Sequence, residues 1–237
     1  MKEDAGRIKG RHFSIDISTC STYIVIASDM HISNRVIVKS VENGGTVRSL
    51  TVPQLVMDGI FEVMFSMDYR AVFLCGSVGN SNIIKLWRSY LDDADEDSLI
   101  TLWEEEKCYD TTTVFSHDKT MIVIHDISLK KGWLLSIDKN YSCSTQQFNF
   151  EGNVLLFPLQ FTLDDNYIIY KTHHNHELKY WSVVKKKFIN NTKCLSDTTM
   201  NGLGLSAVVC SPNNRQFIVW SDDKKGDNPP IYMMSIL

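Results

Sequence analysis

The densest set of possible metal ligands in this 237-residue chain is His173-His174-Asn175-His176-Glu177. Imidazole and carboxylate groups are the side chains that zinc and other transition metals bind. On an extended backbone His174 and His176 share one face, while His173 and Glu177 point elsewhere. One segment would therefore supply two ligands, and the sequence identifies no others. We interpret the segment as an exposed polar loop, and we predict no metal and no cofactor.

A second group of reactive side chains is acidic and contains no intervening basic residue. Its members are Asp92, Asp93, Asp95, Glu96, Asp97, Glu104, Glu105 and Glu106. The whole chain has 24 basic and 28 acidic residues, a net charge of -4, so leaving out these eight gives 24 basic against 20 acidic. Charge is therefore polarised along the chain, and the stretch is a candidate site for steering a basic partner. The simpler interpretation is a solvated loop between two strands.

The matching basic candidate is the run Lys185, Lys186 and Lys187. Such a run can contact phosphate groups, and it is a candidate for binding a partner. Proteins that bind single-stranded nucleic acid interleave basic with aromatic residues, and neither that pattern nor a nucleic-acid motif accompanies these lysines. Other proteins are therefore the expected partners, and RNA binding by the lysine loops remains a further alternative. Turn lysines that discourage strand pairing are the simpler explanation.

Motifs of catalysis and of membrane insertion are missing from the sequence. There is no G-x-x-x-x-G-K-[ST] phosphate loop, no G-x-S-x-G nucleophile turn and no H-E-x-x-H metal motif. No apolar run approaches the roughly 18 residues that a membrane span needs. Six cysteines without C-x-x-C spacing are typical of a reducing compartment. These observations predict a protein that is not an enzyme, binds no membrane and lies in the cytoplasm, with the nucleus as the other compartment left open.

The elements that must position these residues follow an internal repeat. Five related segments begin it: Phe13-Ser14-Ile15-Asp16, Phe65-Ser66-Met67-Asp68, Phe115-Ser116-His117-Asp118, Phe161-Thr162-Leu163-Asp164 and Cys210-Ser211-Pro212-Asn213. Successive segments start 52, 50, 46 and 49 residues apart, and a polar turn and a short apolar run follow each start. Runs rich in Val, Ile, Tyr, Phe and Trp predict strands. Four short antiparallel strands in each repeat predict a β-propeller blade.

The repeat divides the chain into a polar segment, residues 1–11, and five blades. The predicted blades cover residues 12–56, 57–108, 109–154, 155–201 and 202–237, and the last of these is partial. Aromatic residues at recurring strand positions are expected to form the core between blades. They are Phe13, Phe65, Phe115, Phe161, Trp87 and Trp181. The predicted fold is therefore an all-β propeller with four full blades, a partial fifth blade and an incomplete ring.

Over residues 12–237 these repeats resemble the WD40-repeat family. The F-S-x-D segments resemble its first-strand motif, and Lys85-Leu86-Trp87 and Lys179-Tyr180-Trp181 resemble the ending of its third strand. Asp29, Asp126 and Asp222 stand where the family places a structural aspartate before that strand. The chain has no Trp-Asp dipeptide and no Gly-His pair, so it resembles a divergent member. The resemblance implies a scaffold in intracellular assemblies.

The number of repeats predicts how the domain is completed. A seven-blade ring of repeats about 42 residues long needs about 300 residues. This sequence supplies four blades and three strands of a fifth, so we expect it to be part of a larger protein or assembly. The two open edges of an incomplete ring favour strand exchange or self-association.

The functional hypothesis is a non-catalytic protein-interaction scaffold, because the surface loops of a propeller carry function on a fixed frame. Two alternatives from other classes stay open. In one, the propeller binds substrate or gates access for an enzyme whose catalytic domain lies outside these 237 residues. In the other, the propeller binds RNA through its lysine loops, and the affinity would then fall steeply with salt.

Overall fold

The fold was analysed in a computed structural model, which describes the backbone of residues 13–28, 33–53, 56–88, 99–106, 111–126, 131–149, 156–172, 178–189, 205–210, 216–221 and 231–235. Every regular element in these residues is a β-strand, and the strands are numbered β1 to β19 along the chain. They form four sheets of four strands and one sheet of three, all antiparallel. Within each sheet every strand pairs with its neighbour in sequence.

The chain divides into two compact units, and the first, Met1–Tyr109, contains two sheets. The first sheet consists of β1 (Phe13–Ile17), β2 (Tyr23–Ser28), β3 (Ser33–Ser40) and β4 (Thr46–Pro53). The second sheet consists of β5 (Gly59–Phe65), β6 (Ala71–Val78), β7 (Ser81–Arg88) and β8 (Leu99–Glu106).

The second unit, Asp110–Leu237, contains the other three sheets. The third sheet consists of β9 (Thr111–Phe115), β10 (Met121–Asp126), β11 (Lys131–Ile137) and β12 (Cys143–Asn149). The fourth sheet consists of β13 (Leu156–Phe161), β14 (Tyr167–Thr172), β15 (Leu178–Ser182) and β16 (Lys187–Ile189). The fifth sheet consists of β17 (Leu205–Cys210), β18 (Gln216–Ser221) and β19 (Ile231–Ser235).

The core of the first unit lies between its two sheets. Side chains alternate between the two faces of a strand, so apolar residues at every second position form one buried face. Val25, Val36 and Val38 of the first sheet pack in one cluster with Phe65 and Trp87 of the second sheet, and all five are buried. Fully burying one such side chain contributes about 1.5–3 kcal/mol, so this contact is the main source of stability between the sheets.

Hydrogen bonds from β5 to β1 also orient the two sheets relative to each other. The backbone N–H of Val63 donates to Ser14 Oγ at 3.0 Å, and the N–H of Phe65 donates to Asp16 Oδ2 at 2.8 Å. The first strands of the two sheets therefore lie side by side. Because the donors are backbone groups two residues apart, these bonds fix the relative register of the two strands.

The second unit has a core of the same design. Phe161, Ile168 and Trp181 of the fourth sheet are buried in one cluster with Val123 and Leu134 of the third sheet. The aromatic and branched side chains again come from alternate positions of neighbouring strands, as the register of the fourth sheet places Ile168 opposite both Phe161 and Trp181. One sheet therefore offers its face to the next in both units.

A close approach inside the third sheet requires a glycine. The Phe148 ring stacks on Trp181 with centroids 4.7 Å apart. Gly132 lies opposite Phe148 in the sheet, and a Cβ atom at residue 132 would come within 2.4 Å of the Phe148 ring. Only a residue without a side chain leaves room for that stack.

The structure confirms the predicted fold class of antiparallel four-stranded sheets, but it corrects the repeat alignment in the first sheet. Phe65 ends its strand opposite the residue seven positions later, and Phe115 and Phe161 do the same. In the first sheet that position belongs to Ile17, opposite Ile24, whereas Phe13 begins β1 opposite Ser28. Phe13 is therefore not the counterpart of the other three phenylalanines.

The physical reason for this error lies in the turn after β1. The segment equivalent to Ser66-Met67-Asp68 is Ser18-Thr19-Cys20, which starts 48 residues earlier and lacks the aspartate. The letters F-S-x-D also occur by coincidence inside β1. The alignment therefore placed the start of this repeat four residues too early, inside the strand instead of at its end. Only backbone pairing distinguishes the two registers.

A second correction concerns the acidic stretch. The simpler interpretation of the sequence placed the whole stretch, including Glu104, Glu105 and Glu106, in a solvated loop between two strands. The structure continues β8 through Glu105 and Glu106, which lie opposite Asn82 and Ser81 of β7. The side chains of Glu104 and Glu106 are exposed, because β8 is an outer strand of its sheet and its carboxylates can reach water.

Candidate functional site

All four four-stranded sheets have the same hydrogen-bonded turn between their first and second strands. The turn begins with a hydroxyl residue, which is Ser18, Ser66, Ser116 or Thr162. Its side-chain oxygen accepts a hydrogen bond from the backbone N–H five residues later, at 2.8–3.1 Å. The hydroxyl therefore joins the end of one strand to the start of the next, which explains why Ser or Thr recurs in the sequence.

An aspartate two residues later completes three of these turns. Asp68, Asp118 and Asp164 accept a hydrogen bond from the preceding hydroxyl at 2.6–2.7 Å and another from the backbone N–H two residues on at 2.9–3.2 Å. In the first sheet Cys20 stands in this place, with its Sγ 3.3 Å from Ser18 Oγ. The hydrogen bond with Ser18 is the largest of several effects that lower the pKa of the exposed Cys20 thiol.

The turn favours ionised aspartates. Partial burial by itself would raise the pKa of Asp118, but hydrogen bonds from Thr120 and Ser116, together with nearby His117, outweigh it and hold the pKa below its usual value. The same balance of burial against hydrogen bonding lowers the pKa of Asp164. These carboxylates therefore stabilise the turns as anions.

The fourth residue of the turn fixes the backbone. Its N–H donates to the carbonyl oxygen of the first residue at 2.8–3.0 Å in all four sheets. The residues are Ser21, Tyr69, Lys119 and Asp165, with φ between 51° and 57°. A left-handed conformation costs a residue with a Cβ atom roughly 1–2 kcal/mol, so the surrounding hydrogen bonds must impose it. One backbone geometry therefore recurs at all four positions.

The second residue of the turn differs in every sheet. Thr19, Met67, His117 and Leu163 occupy this position and are exposed, with Met67 59% exposed. We call these four the tip residues. The same backbone conformation therefore carries four different groups: a hydroxyl, a thioether, an imidazole and a branched alkyl group. Each unit has two of these tip residues.

A second turn lies at the same end of three of these sheets, between their third and fourth strands. Its backbone N–H donates to the carbonyl of the first turn at 2.8–2.9 Å, in the pairs Val41 to Thr22, Ile137 to Thr120 and Val183 to Asn166. In the fourth sheet this second turn carries Val184, which is 74% exposed. The two turns therefore form one continuous end surface.

The lysine run belongs to this end surface of the fourth sheet. Lys185 and Lys186 lie in the second turn, Lys187 is the first residue of β16, and all three are exposed. The backbone N–H of Lys185 donates to Ser182 Oγ at 3.1 Å. The structure thus places positive charge directly beside the exposed apolar side chain of Val184.

Asp165 links the turns of the third and fourth sheets. Its Oδ1 accepts a hydrogen bond from the backbone N–H of His117 at 2.9 Å, and its Oδ2 accepts one from the N–H of Asp118 at 3.0 Å. The Nδ1 atom of His117 lies 3.0 Å from the same Oδ1. This nearly buried carboxylate therefore positions the tip residue His117 from the neighbouring sheet.

The first unit makes the equivalent contact with different chemistry. Tyr69 takes the position of Asp165, and its ring centroid lies 6.4 Å from that of Tyr23. The hydroxyl of the tip residue Thr19 donates to the carbonyl of Met67 at 2.9 Å. In both units, therefore, a tip residue is held by the neighbouring sheet.

Two groups of candidate residues lie outside the described residues. They are Asp92, Asp93, Asp95, Glu96 and Asp97, and His173, His174, His176 and Glu177. In the part of the chain that the structure describes, no group of three or more metal-ligating side chains comes together. The lysines and the acidic stretch belong to different units.

The sequence interpretation treated the repeated Ser-x-Asp letters as a strand motif and missed the tip residues and Asp165. A signal for Asp165 existed, because Asp is one of the few residues that tolerate the left-handed backbone. The partners of Asp165 are 47 and 48 positions away in sequence, and only the packing of two sheets brings them together.

The sequence matches no known protein family and no curated protein. The backbone does resemble solved structures. The Cps50 (Swd1) β-propeller domain from Myceliophteria thermophila has a TM-score of 0.57 and 9% identity, covering 95% of this chain and 71% of that one. A protein assigned as a 6-phosphogluconolactonase from Bacteroides uniformis has a TM-score of 0.60 and 12% identity, covering 95% and 67%.

A third similar structure is prolyl oligopeptidase B from Galerina marginata, bound to a macrocyclization substrate. The TM-score is 0.64 and the identity 11%, and the match covers 94% of this chain but 33% of that one. At such identities the likeness concerns the fold alone. The chain therefore has the blade-based, all-β fold of which a β-propeller domain is one example. Among the described residues, no helix has the length and apolar character to cross a membrane.

Proposed function

We propose that this chain is a non-catalytic protein-interaction module of WD40-like repeats, which belongs to a larger protein or assembly in the cytoplasm or nucleus. The observation that carries the proposal is the turn with a constant backbone and a different exposed tip residue in each sheet. A fixed frame with variable exposed side chains suits recognition of a partner surface, because little conformational entropy is lost on binding.

Apolar side chains at the turn end supply the binding energy in this proposal. Met67 and Val184 are large apolar residues that lie exposed in turns, where they do not stabilise the fold by burial. Partner docking would remove that area from water at about 25 cal/mol per Å². The flanking lysines Lys185, Lys186 and Lys187 then select an acidic rim on the partner of the second unit.

The test compares captured partners between variants in cells that make the protein. Met67→Asp combined with Val184→Asp should lose a defined set of proteins found with the unmodified chain. Phe61→Asp combined with Ile100→Asp is the matched control, because it introduces the same two charges at exposed residues of strands β5 and β8, away from the turns. An unchanged set of captured proteins in the turn variant would contradict the proposal.

The lysine run distinguishes protein recognition from RNA recognition. Changing Lys185, Lys186 and Lys187 to Ala should weaken capture of the same protein partners after nuclease treatment. RNA binding would instead appear as nuclease-sensitive capture whose affinity falls steeply with salt. The acidic residues Asp92, Asp93, Asp95, Glu96 and Asp97 are proposed to steer a basic partner, and Asn at these positions should slow association mainly at low salt.

A second candidate function is supported by the match to prolyl oligopeptidase B, of which this chain covers 33%. In this alternative the sheets bind or admit substrate for a catalytic domain elsewhere in a longer protein. Immunoblotting of source material with an antibody against residues 13–53 tests it. A band well above 27.1 kDa whose peptides include a catalytic domain would favour the enzyme. A band whose peptides include no catalytic domain would favour the interaction module.

A further inference from the structure

The outward face of the first sheet is unusually apolar. In the register of the sheet, Ile15 lies opposite Ile26, which lies opposite Ile37, and Ile17 lies opposite Ile24. Directly opposed residues share one face of an antiparallel sheet. Five isoleucines therefore form a single patch, on the face opposite to the one buried against the second sheet. Ile15 is 62% exposed and Ile17 is 53% exposed.

The equivalent face of the second sheet shows what such a patch does. Its residues Val63, Phe65, Val72, Leu74 and Trp87 are buried in the cluster shared with the first sheet. Shifting by the 48 residues that separate the two turns places these residues onto Ile15, Ile17, Ile24, Ile26 and Lys39. The isoleucine patch is thus the position on which the preceding sheet of a repeat array packs.

The fourth sheet repeats the arrangement. Phe161 and Ile168, which correspond to Ile17 and Ile24 of the first sheet, are buried against the third sheet. The third sheet contributes Val123, the counterpart of Val25, to the same cluster. In both units this face of the later sheet packs against a row of apolar residues from the preceding sheet.

The fifth sheet carries such a row by its backbone register. Val209 lies opposite Ile218, which lies opposite Met233, and Trp220 lies opposite Ile231. These positions correspond to the rows by which the first and third sheets pack on the sheets that follow them. All five residues are apolar. The fifth sheet therefore has the kind of row that packs on a following sheet, and the first sheet has the kind of face that receives such a row.

We propose that the isoleucine patch of one molecule binds the fifth sheet of a second copy of this chain. The contact is heterologous, because different surfaces of the two copies meet. Two reciprocal contacts would close a dimer, and unreciprocated contacts would extend into larger assemblies. This inference concerns self-assembly and is independent of the turn-end surface that we propose for partner recognition.

The first test measures mass against concentration for the full chain by analytical ultracentrifugation. We expect species of at least twice 27.1 kDa at micromolar concentration. Ile15→Asp combined with Ile17→Asp should raise the apparent dissociation constant at least tenfold, because burying an unpaired carboxylate is costly. The control variant, Val41→Asp with Ile100→Asp, adds the same charge at exposed residues of the same unit and should associate normally.

A wild-type chain that remains at 27.1 kDa at all concentrations would overturn the proposal, and so would equal association of the patch variant and the control. Circular dichroism of each variant verifies that the strands are retained. If the patch variant loses its strands, the second test decides, because that test changes only one exposed residue.

The second test identifies the surface that the patch contacts. A photoreactive benzoyl-phenylalanine replaces Ile15, and equal amounts of unlabelled and ¹⁵N-labelled chains are mixed before irradiation. We expect cross-linked peptides from residues 205–235 in which the two halves carry different labels. Cross-links whose halves always carry the same label, cross-links to other residues, or no cross-links would each overturn binding of a second copy.

Discussion

At the scale of single residues, Asp165 is the side chain whose loss should matter most at the turn end. It accepts hydrogen bonds from two backbone N–H groups of another sheet, and hydrogen bonds to a charged group contribute about 1.5–3 kcal/mol each. It also adopts a left-handed backbone, which Ala tolerates poorly. Asp165→Ala should therefore lower the free energy of unfolding by about 3 kcal/mol in urea denaturation.

Two variants show whether the contact between sheets is the cause. Asp165→Asn keeps an acceptor oxygen and tolerates the same φ, so its loss should be about 1 kcal/mol. Asp138→Ala removes a carboxylate that accepts the N–H groups of Asn140 and Ser142 within its own turn. A loss for Asp165→Ala no larger than that for Asp138→Ala would show that the link between sheets contributes nothing beyond a local turn.

His125 should make stability depend on pH. It is fully buried on β10, 6.4 Å from the Tyr170 ring between centroids, and burial lowers its pKa from 6.5 to about 4, although the nearby Asp126 acts in the opposite direction. Above pH 6.5 the imidazole is neutral in folded and unfolded chains alike. Between pH 6.5 and about 4 only the unfolded chain takes up the proton, so the free energy of unfolding falls as the pH falls.

The total effect of His125 should be on the order of 3 kcal/mol, lost across that interval and constant below it. Urea denaturation of the wild type and of His125→Gln at half-unit steps of pH measures the effect, because Gln does not titrate. The aspartates with lowered pKa, Asp118 and Asp164, lose their contribution only near and below their ordinary value of 3.8. Equal slopes for both proteins above pH 4 would contradict the assignment to His125.

At the scale of strands, the phenylalanine that ends the first strand of a sheet holds two sheets together. Phe65 is completely buried at the end of β5, so Phe65→Ala should leave a cavity and lower the free energy of unfolding by about 3–5 kcal/mol. Phe61→Ala is the matched control on the same strand, where the side chain is 41% exposed. Its loss should stay under about 1 kcal/mol. Similar denaturation midpoints for the two variants would mean that Phe65 does not anchor the sheets.

The strands themselves could be predicted because their signals are local. Runs such as Tyr167–Thr172 combine β-branched and aromatic residues between turn residues, and a phenylalanine stands six residues before the start of the run, as Phe161 does here. The alignment failed at Phe13 because Cys20 replaces the aspartate that marks the other turns. Nothing in the sequence identifies the link from Asp165 to His117, because that link exists only after two sheets pack.

At the scale of the whole molecule, sheets within each unit pack on their neighbours in sequence: the first on the second, the third on the fourth, and β17 of the fifth beside β13 of the fourth. Stability in such arrays is close to a sum over units and neighbouring contacts. A chain that ends after residue 201 should therefore keep the circular-dichroism signal of β1 to β16 and still unfold cooperatively. Complete loss of that signal would contradict a linear array.

The truncated chain also separates folding from self-assembly. It lacks the fifth sheet, so it should stay monomeric at concentrations where the full chain associates, while its isoleucine patch remains intact. Adding the full chain in excess should return it to larger complexes. If the truncated chain associates with itself, the surface that binds the isoleucine patch in the second copy is not formed by β17 to β19.

The repeated turn has a consequence for how this protein can change over generations. Its shape depends on the first, third and fourth residues, and the hydrogen bonds that close each turn involve no tip side chain. The contact of His117 Nδ1 with Asp165 joins two different sheets and does not close a turn. A single-codon change at Thr19, Met67, His117 or Leu163 can therefore alter the chemistry of the surface that we propose for partner recognition, at little cost in stability. Selection can change these four positions one at a time, so the exposed side chains of this end can diverge while the backbone of the turns stays the same.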